Sequence, residues 1–344
     1  MNVTSELLKE LARLAETDRT VLSAYVSVAR GWDDVHAFVE RQSKKLVPFL
    51  DRKEKDYFQT SISFLVDYLK EKKGQGFSGP GVAFFADLGA DFVRGVELVS
   101  APEPLLAVDD EAIIYPLALE LDEYEPIGVI MIDASCSRIL IVAGQVIEDM
   151  DSFCKNIHHL SKVGGWSQMR YQRRRAKQIK HVAQDTIEHA KSIFQRAGIK
   201  RIVIAGRDRM ITALEHEFPK VWKDNVIATV RWDLDAPDQD FLHKVRPLLE
   251  QAERDEERNM LQKLVAELRR AGLAVSGVEP TLKALNMGQV DTLFLSEELD
   301  FTTKEELTSR AQATAAYVES IPETNEVLSR LGGAAALLRF KIKP

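Results

Sequence analysis

The chain has 344 residues, with 46 lysines and arginines against 53 aspartates and glutamates, for a formal net charge of −7. That length carries two or three domains with real cores, and 45% hydrophobic with 29% charged residues is the composition of a soluble globular protein. Two cysteines, Cys136 and Cys154, are too few for a disulfide scaffold or a multi-thiolate metal site and fit a reducing compartment. The opening MNVTSELLKELARLAETDR reads as an amphipathic helix with interspersed acids, not a signal peptide. No apolar run approaches about 18 residues, so no membrane contact is expected and the protein reads as cytoplasmic.

The expected fold class is α/β with three domains, each a mixed or partly parallel sheet with packed helices. Residues 1–122 form the first. Leu7, Leu11 and Leu14 give the opening helix an apolar face, and VLSAYVSVA (21–29) has strand character. A long helical region follows, interrupted near Pro48, and ends at the turn-rich GQGFSGPG (74–81). VAFFAD (82–87) and FVRGVELV (92–99) make a strand pair, and the Pro102–Pro104 segment with the acidic run Asp109, Asp110 and Glu111 reads as a surface connection. This block contains no nucleophile–base set, phosphate loop or histidine pair that would point to catalysis.

Residues 123–250 form the second domain. It opens with a hairpin, IGVIMIDA (127–134) and RILIVAGQVI (138–147), and continues through a basic stretch and its helix. RIVIAG (201–206), a helix from Arg209 to about Phe218 and VIATVRWDL (226–234) complete it. The Gly206-Arg207-Asp208 turn follows a buried strand as a ligand loop would, but one glycine is too little for a dinucleotide fingerprint. Residues 251–344 form the third domain. A charged helix ends at Gly272, a second helix carries Pro280 near its first turn, DTLFLS (291–296) is a buried strand, and most of 304–331 reads as helix before the closing strand AAALLRFKI.

The basic stretch, LSKVGGWSQMRYQRRRAKQIKH (160–181), stands apart from the rest. Lys162, Arg170, Arg173, Arg174, Arg175, Lys177 and Lys180 are seven cations between Ser161 and His181, with no acid among them. A local field of one sign on an acidic background points to a polyanion partner; a solvated basic helix after an ordinary turn is the equal alternative. At about 100° per residue, Ala176, Ile179, Ala183, Ile187, Ala190 and Phe194 share one stripe, the core face of a long helix. Arg170, Arg174, Lys177 and His181 share a second stripe roughly 150° away. Ser167 is placed to cap the helix start. Gly164 and Gly165 allow positive φ and leave no side chains to block a ligand, so the tip has the character of a phosphate site.

Three separated segments carry a family resemblance. GVEPTLKALNMGQVDTLFL (277–295) resembles the C-terminal domain of archaeal and eukaryotic class I peptide-chain release factors. LGGAAALLRFKI (331–342) resembles the closing strand of those factors and of the ribosome-rescue protein Pelota. VGGWSQMRYQRRR (163–175) sits where release factors carry a Gly-Gly-Gln loop, a serine and an arginine-bearing helix. The chain is thus identified as a member of the archaeo-eukaryotic release-factor superfamily, in a divergent, bacterial-type branch related to Pelota and to the tRNA-releasing quality-control factor.

The resemblance implies a ribosome-associated protein acting at the acceptor end of peptidyl-tRNA, without cofactor or metal. It assigns Gly164 and Gly165 to the loop that enters the peptidyl-transferase centre. The family glutamine, which helps place water at the ester, is replaced by Trp166. Indole has one donor and no acceptor, so it cannot orient water as an amide does; its backbone N–H remains available to an oxyanion. The quality-control relative carries a Gly-x-x-Gln spacing that Gly165 and Gln168 match, with Arg170 and Arg174 placed to stabilise phosphoryl charge. Catalytic candidates are therefore Gly164, Gly165, Trp166, Ser167, Gln168 and Arg170, and RNA-contact candidates Lys162, Arg170, Arg173, Arg174, Lys177 and Lys180.

Ester hydrolysis, acceptor-end cleavage and non-catalytic ribosome binding, of the rescue or hibernation kind, all stay open. A translational GTPase partner is left unidentified. No Asn-Ile-Lys-Ser segment is present in the first domain, so codon reading is not expected. The third domain resembles the fold of kink-turn-binding ribosomal proteins with their Asn-Glu pair replaced by Glu279-Pro280 while Lys283 survives, which favours protein contact there. Trp166 has two readings, stacking on a terminal base or packing onto its own domain. His158 and His159 with Cys154 lack a fourth ligand for a metal site.

Overall fold

The computed structural model describes residues 3–14, 20–29, 31–143, 146–154, 166–322 and 326–341. The first lobe contains α1 (Ser5–Leu11), β1 (Val21–Ser27), α2 (Trp32–Leu46), α3 (Arg52–Gln75), β2 (Gly81–Asp87), β3 (Phe92–Leu98), β4 (Leu105–Asp109) and α4 (Tyr115–Glu123). Its antiparallel sheet has the order β3-β2-β1-β4. β2 is buried at every position because helices cover both faces. α2 and α3 lie on one side over Leu22, Ala24, Val82 and Phe84; α1 and α4 lie on the other over Val21, Tyr25, Ala83 and Phe85. Pro48 ends α2 through a short 3-10 turn, and α3 restarts on a capping box in which Asp51 and Glu54 accept each other's backbone N–H. The stretch expected as a surface connection holds β4, which pairs with β1 from Leu105 to Asp109. Leu106 alone is buried there, too weak an alternation to announce a strand.

The middle unit contains β5 (Ile127–Ile132), β6 (Cys136–Ala143), β7 (Val146–Cys154), α5 (Trp166–Ala197), β8 (Arg201–Gly206), α6 (Asp208–Glu217), α7 (Lys220–Lys223), β9 (Val226–Arg231) and α8 (Asp238–Arg269). Its sheet has the order β7-β6-β5-β8-β9, parallel from β5 to β9 and antiparallel through β6 and β7. α5 and α6 pack one face with Ile179, Val182, Ala183, Ile193, Ile211 and Leu214. The start of α8 packs the other with Phe241 and Val245. Gly128 lies under the ring of Phe194, where a Cβ would come within 2.5 Å of ring carbon, so this crossing of helix and sheet requires glycine. The expected strand 138–147 is divided here. β6 stops at Ala143 and a further strand runs from Val146 to Cys154 through an acidic segment tolerated on a sheet edge. Cys136 and Cys154 are register partners and form a disulfide, a pairing not expected from their spacing.

The last lobe contains β10 (Ala274–Ser276), α9 (Val278–Asn286), β11 (Val290–Ser296), α10 (Phe301–Ala313), β12 (Tyr317–Ile321), α11 (Glu326–Arg330) and β13 (Ala334–Leu338). The sheet order is β10-β13-β11-β12, with β11 and β12 parallel. The span 304–331 is mostly helical as expected, but not continuously so, since YVESI forms β12 between α10 and α11. The fold is the expected mixed α/β arrangement with three sheets. Contacts gather it into two compact units, residues 1–124 with 257–344, and residues 125–256. The change of unit at 256/257 falls inside α8, which begins at Asp238 and carries Pro247, so the charged helix expected to open at 251 starts thirteen residues earlier.

The first and last lobes are joined side chain to backbone. Glu305 on α10 accepts from the N–H of Ile114 at 2.7 Å and of Tyr115 at 2.8 Å, capping α4, which has no side-chain cap of its own. Asp122 accepts from the Ser320 N–H at 2.8 Å, Ser309 donates to Glu111, and the Tyr115 ring meets Phe301 edge to face.

Candidate nucleic-acid interface

α5 positions the cations singled out in the sequence. Its core face is Ile179, Val182, Ala183, Thr186, Ile187, Ala190, Ile193 and Phe194. That stripe is wider than expected, and it begins at Ile179 because Ala176 is exposed. Among the side chains described from Arg173 onward, the helix packs on the sheet from Ile179. Its C-terminal end leads into the amino end of β8, and Phe194 covers the amino half of β5. The N-terminal half therefore lies toward the carboxyl edge of the parallel strands, where open α/β sheets hold ligands.

Arg173, Arg174, Lys177, Lys180 and His181 are all exposed, and Arg175 is half-buried. From Trp166 to Gln184 the helix contains no aspartate or glutamate, so no carboxylate stands at helical spacing from Arg173, Arg174 or Lys177. Among the described residues Arg173, Arg174 and Lys177 meet no carboxylate. The three span about 6 Å along the axis, inside the ~8 Å screening length at physiological salt, so their fields add. Lys180 differs: Glu217 at the end of α6 takes it at 3.5 Å and also accepts from the Gln184 amide at 2.9 Å. Sequence reasoning could not separate Lys180 from the other cations, since its partner lies 37 residues away.

The remaining candidates fall at or beyond the edge of this picture. Lys162, Gly164 and Gly165 lie outside the described residues. Trp166 is the first helical residue of α5, with Ser167, Gln168 and Arg170 in its first turns. Ser167 thus stands inside the helix and not at the cap. Tryptophan costs a helix too little to delay its start to the serine.

The turn Gly206-Arg207-Asp208 borders an open cavity of about 490 Å³ with Arg231, Trp232 and Asp233. Arg231 donates to Asp208 at 2.5 Å and Arg207 lies 3.8 Å from Asp233. Both cations are thereby compensated, and the turn lacks the free positive charge that would hold a phosphate. No cluster of three or more histidine, cysteine or carboxylate side chains able to hold a metal occurs among the described residues. Nor does any described helix have the length and apolarity to cross a membrane.

Comparison with known proteins gives the site a context. Residues 113–257 match the model of bacterial archaeo-eukaryotic release factor family 10, and residues 255–342 match that of eRF1 domain 3. Peptide chain release factor subunit 1 of Methanocaldococcus jannaschii is 26% identical over 318 residues, covering 86% of this chain and 74% of that protein. The same factor of Aeropyrum pernix is 22% identical over 362 residues, covering 98% and 95%. Among solved structures, a model of ribosome-bound archaeal Pelota and ABCE1 aligns over 99% of this chain and 96% of that one, at 16% identity and a TM-score of 0.47.

Proposed function

Since the chain belongs to the archaeo-eukaryotic release-factor superfamily, we propose that this release-factor-like translation factor binds the ribosome and acts at the acceptor end of peptidyl-tRNA. The observation that carries the reading is the acid-free, exposed face of α5, with Arg173, Arg174 and Lys177 unopposed by carboxylate among the described residues. Such a face binds a phosphate backbone with a strong dependence on salt. It follows directly on Gly164-Gly165 in sequence, the pair that the family resemblance assigns to the peptidyl-transferase centre.

The chemistry proposed is release of the nascent chain. Trp166 takes the place of the family glutamine, so water at the ester is not oriented by a side-chain amide there. Two sources of catalysis remain in the segment. The backbone N–H at 166 can donate to the oxyanion of ester hydrolysis. Alternatively Gln168 with Arg170 and Arg174 can stabilise the phosphoryl charge of acceptor-end cleavage. The substitution at Trp166 favours a second reading, a factor that occupies the ribosome without chemistry.

One experiment separates the three. Labelled peptidyl-tRNA on purified stalled ribosomes is incubated with the protein, and both peptide and tRNA are analysed. Free peptide with full-length tRNA means hydrolysis, and a shortened tRNA means cleavage. Co-sedimentation with no product leaves the binding-only factor, and failure to bind ribosomes sinks the whole proposal.

A further inference from the structure

β7 is the edge strand of the middle sheet, and its last stretch is held differently from the rest. Ile139 pairs with Asp151 and Leu140 with Asp149, so Met150 is an extra, unpaired residue that bulges from the ladder and is exposed. Beyond that bulge only four rungs remain, from Ile139–Asp151 to Cys136–Cys154. Among the described residues no strand lies on the outer side of this short tab. Two features secure it. The disulfide closes its final rung. Asp151 pairs with Nδ1 of His189 on α5, whose ring lies 5.1 Å from that of Phe153.

We propose that Cys136–Cys154 is a reversible redox site that sets how firmly this tab is fastened beside α5. Its substrate class is the low-molecular-weight thiol and its disulfide. Cys154 is exposed and Cys136 half-buried, so an external thiolate reaches the Cys154 sulfur first and expels Cys136 as the leaving thiolate. A second thiol then attacks the external sulfur of the mixed disulfide and frees Cys154. The protein disulfide gains two electrons and two protons to become two thiols, and two small thiols become one small disulfide. Oxidation is the same exchange reversed. With the covalent tie gone, the tab keeps its four rungs and the His189 contact, and an edge segment of that size opens more readily than the strands behind it. The site also reconciles a cysteine content suited to a reducing compartment with a fold in which the two side chains meet.

The test uses the full chain equilibrated in buffers of graded reduced-to-oxidised glutathione ratio, then alkylated and weighed intact. A single transition between zero and two labels is expected, whereas C136S and C154S each pass only between one label and one glutathione adduct. Hydrogen exchange across 136–139 and 151–154 is expected to quicken severalfold on reduction, while β5 and β8 keep their protection. The C136S/C154S double variant should exchange like the reduced protein under all conditions. Two labels even in fully oxidised buffer, no labels in fully reduced buffer, or unchanged exchange in the tab would each overturn the assignment.

Discussion

Glu305→Ala tests the seam between the first and last lobes most directly. The carboxylate caps α4 through the N–H groups of Ile114 and Tyr115, and removing it leaves both donors without an acceptor beside a fully buried Ile114 side chain. Two orphaned donors cost about 3 kcal/mol together, at roughly 1–3 kcal/mol for each. The carboxyl itself is costly to ionise. Burial pushes it from the ordinary 4.5 up to about 7, against the pull of the same two N–H bonds. Its folded value thus lies above the unfolded one, so the fold holds the proton more tightly than the open chain does. The stability this confers is complete below 4.5 and lost as pH rises to about 7. At roughly 1.4 kcal/mol per pH unit the loss comes to about 3 kcal/mol. The deficit of Glu305→Ala should therefore be about 3 kcal/mol near pH 4.5 and close almost to zero by about pH 8. Urea unfolding of both proteins across that range measures it. A deficit that stays constant, or widens with pH, would refute the raised carboxyl, and equal stability at all pH values would refute the cap.

Three further outcomes are expected. Gly128→Ala drives a methyl group to 2.5 Å from the Phe194 ring and should cost about 1–3 kcal/mol in urea unfolding; an unchanged midpoint would mean that α5 is not seated on β5 as described. Burial pushes the Glu97 carboxyl up, but the bonds from Lys72 and the Ser78 N–H together outweigh it and hold it below the usual range. Its contribution is present above the unfolded value and lost as pH falls, so Glu97→Gln should cost about 1–2 kcal/mol near neutrality and progressively less in acid, read from the same unfolding curves. Replacing Arg173, Arg174 and Lys177 together by alanine should weaken ribosome co-sedimentation and flatten its log–log salt dependence by about 2–3, with the circular dichroism spectrum unchanged. An unaltered salt slope would remove this face from the interface.

Local patterns were readable where each element carries its own period. The stripe from Ile179 to Phe194, the buried run VAFFAD and the parallel strands IGVIMIDA and RIVIAG all lie where periodicity puts them. β4 and β12 were missed because each is five residues long and owes its existence to a partner far off in sequence. The acidic half of β7 was missed because an edge strand needs little apolar alternation. In the site, the segment 166–184 displays its lack of acids openly, but Glu217 beside Lys180 is a tertiary neighbour without local trace. The meeting of Cys136 with Cys154 depends on the bulge at Met150, which shifts the register by one residue. Spacing alone does not reveal such a shift.

The compact unit built from residues 1–124 and 257–344 is discontinuous in the chain. During synthesis the first lobe leaves the ribosome long before Glu305 exists to cap α4, and all of residues 125–256 must be made in between. Domains generally fold as units and in order of emergence, so the middle unit can complete its sheet while the first lobe still has a bare helix end. The seam is then a late event of high sequence separation, about 190 residues between Glu305 and its two donors, and it adds a slow closing step to folding. A nascent chain halted before α10 would carry a finished middle unit and an unfinished first lobe.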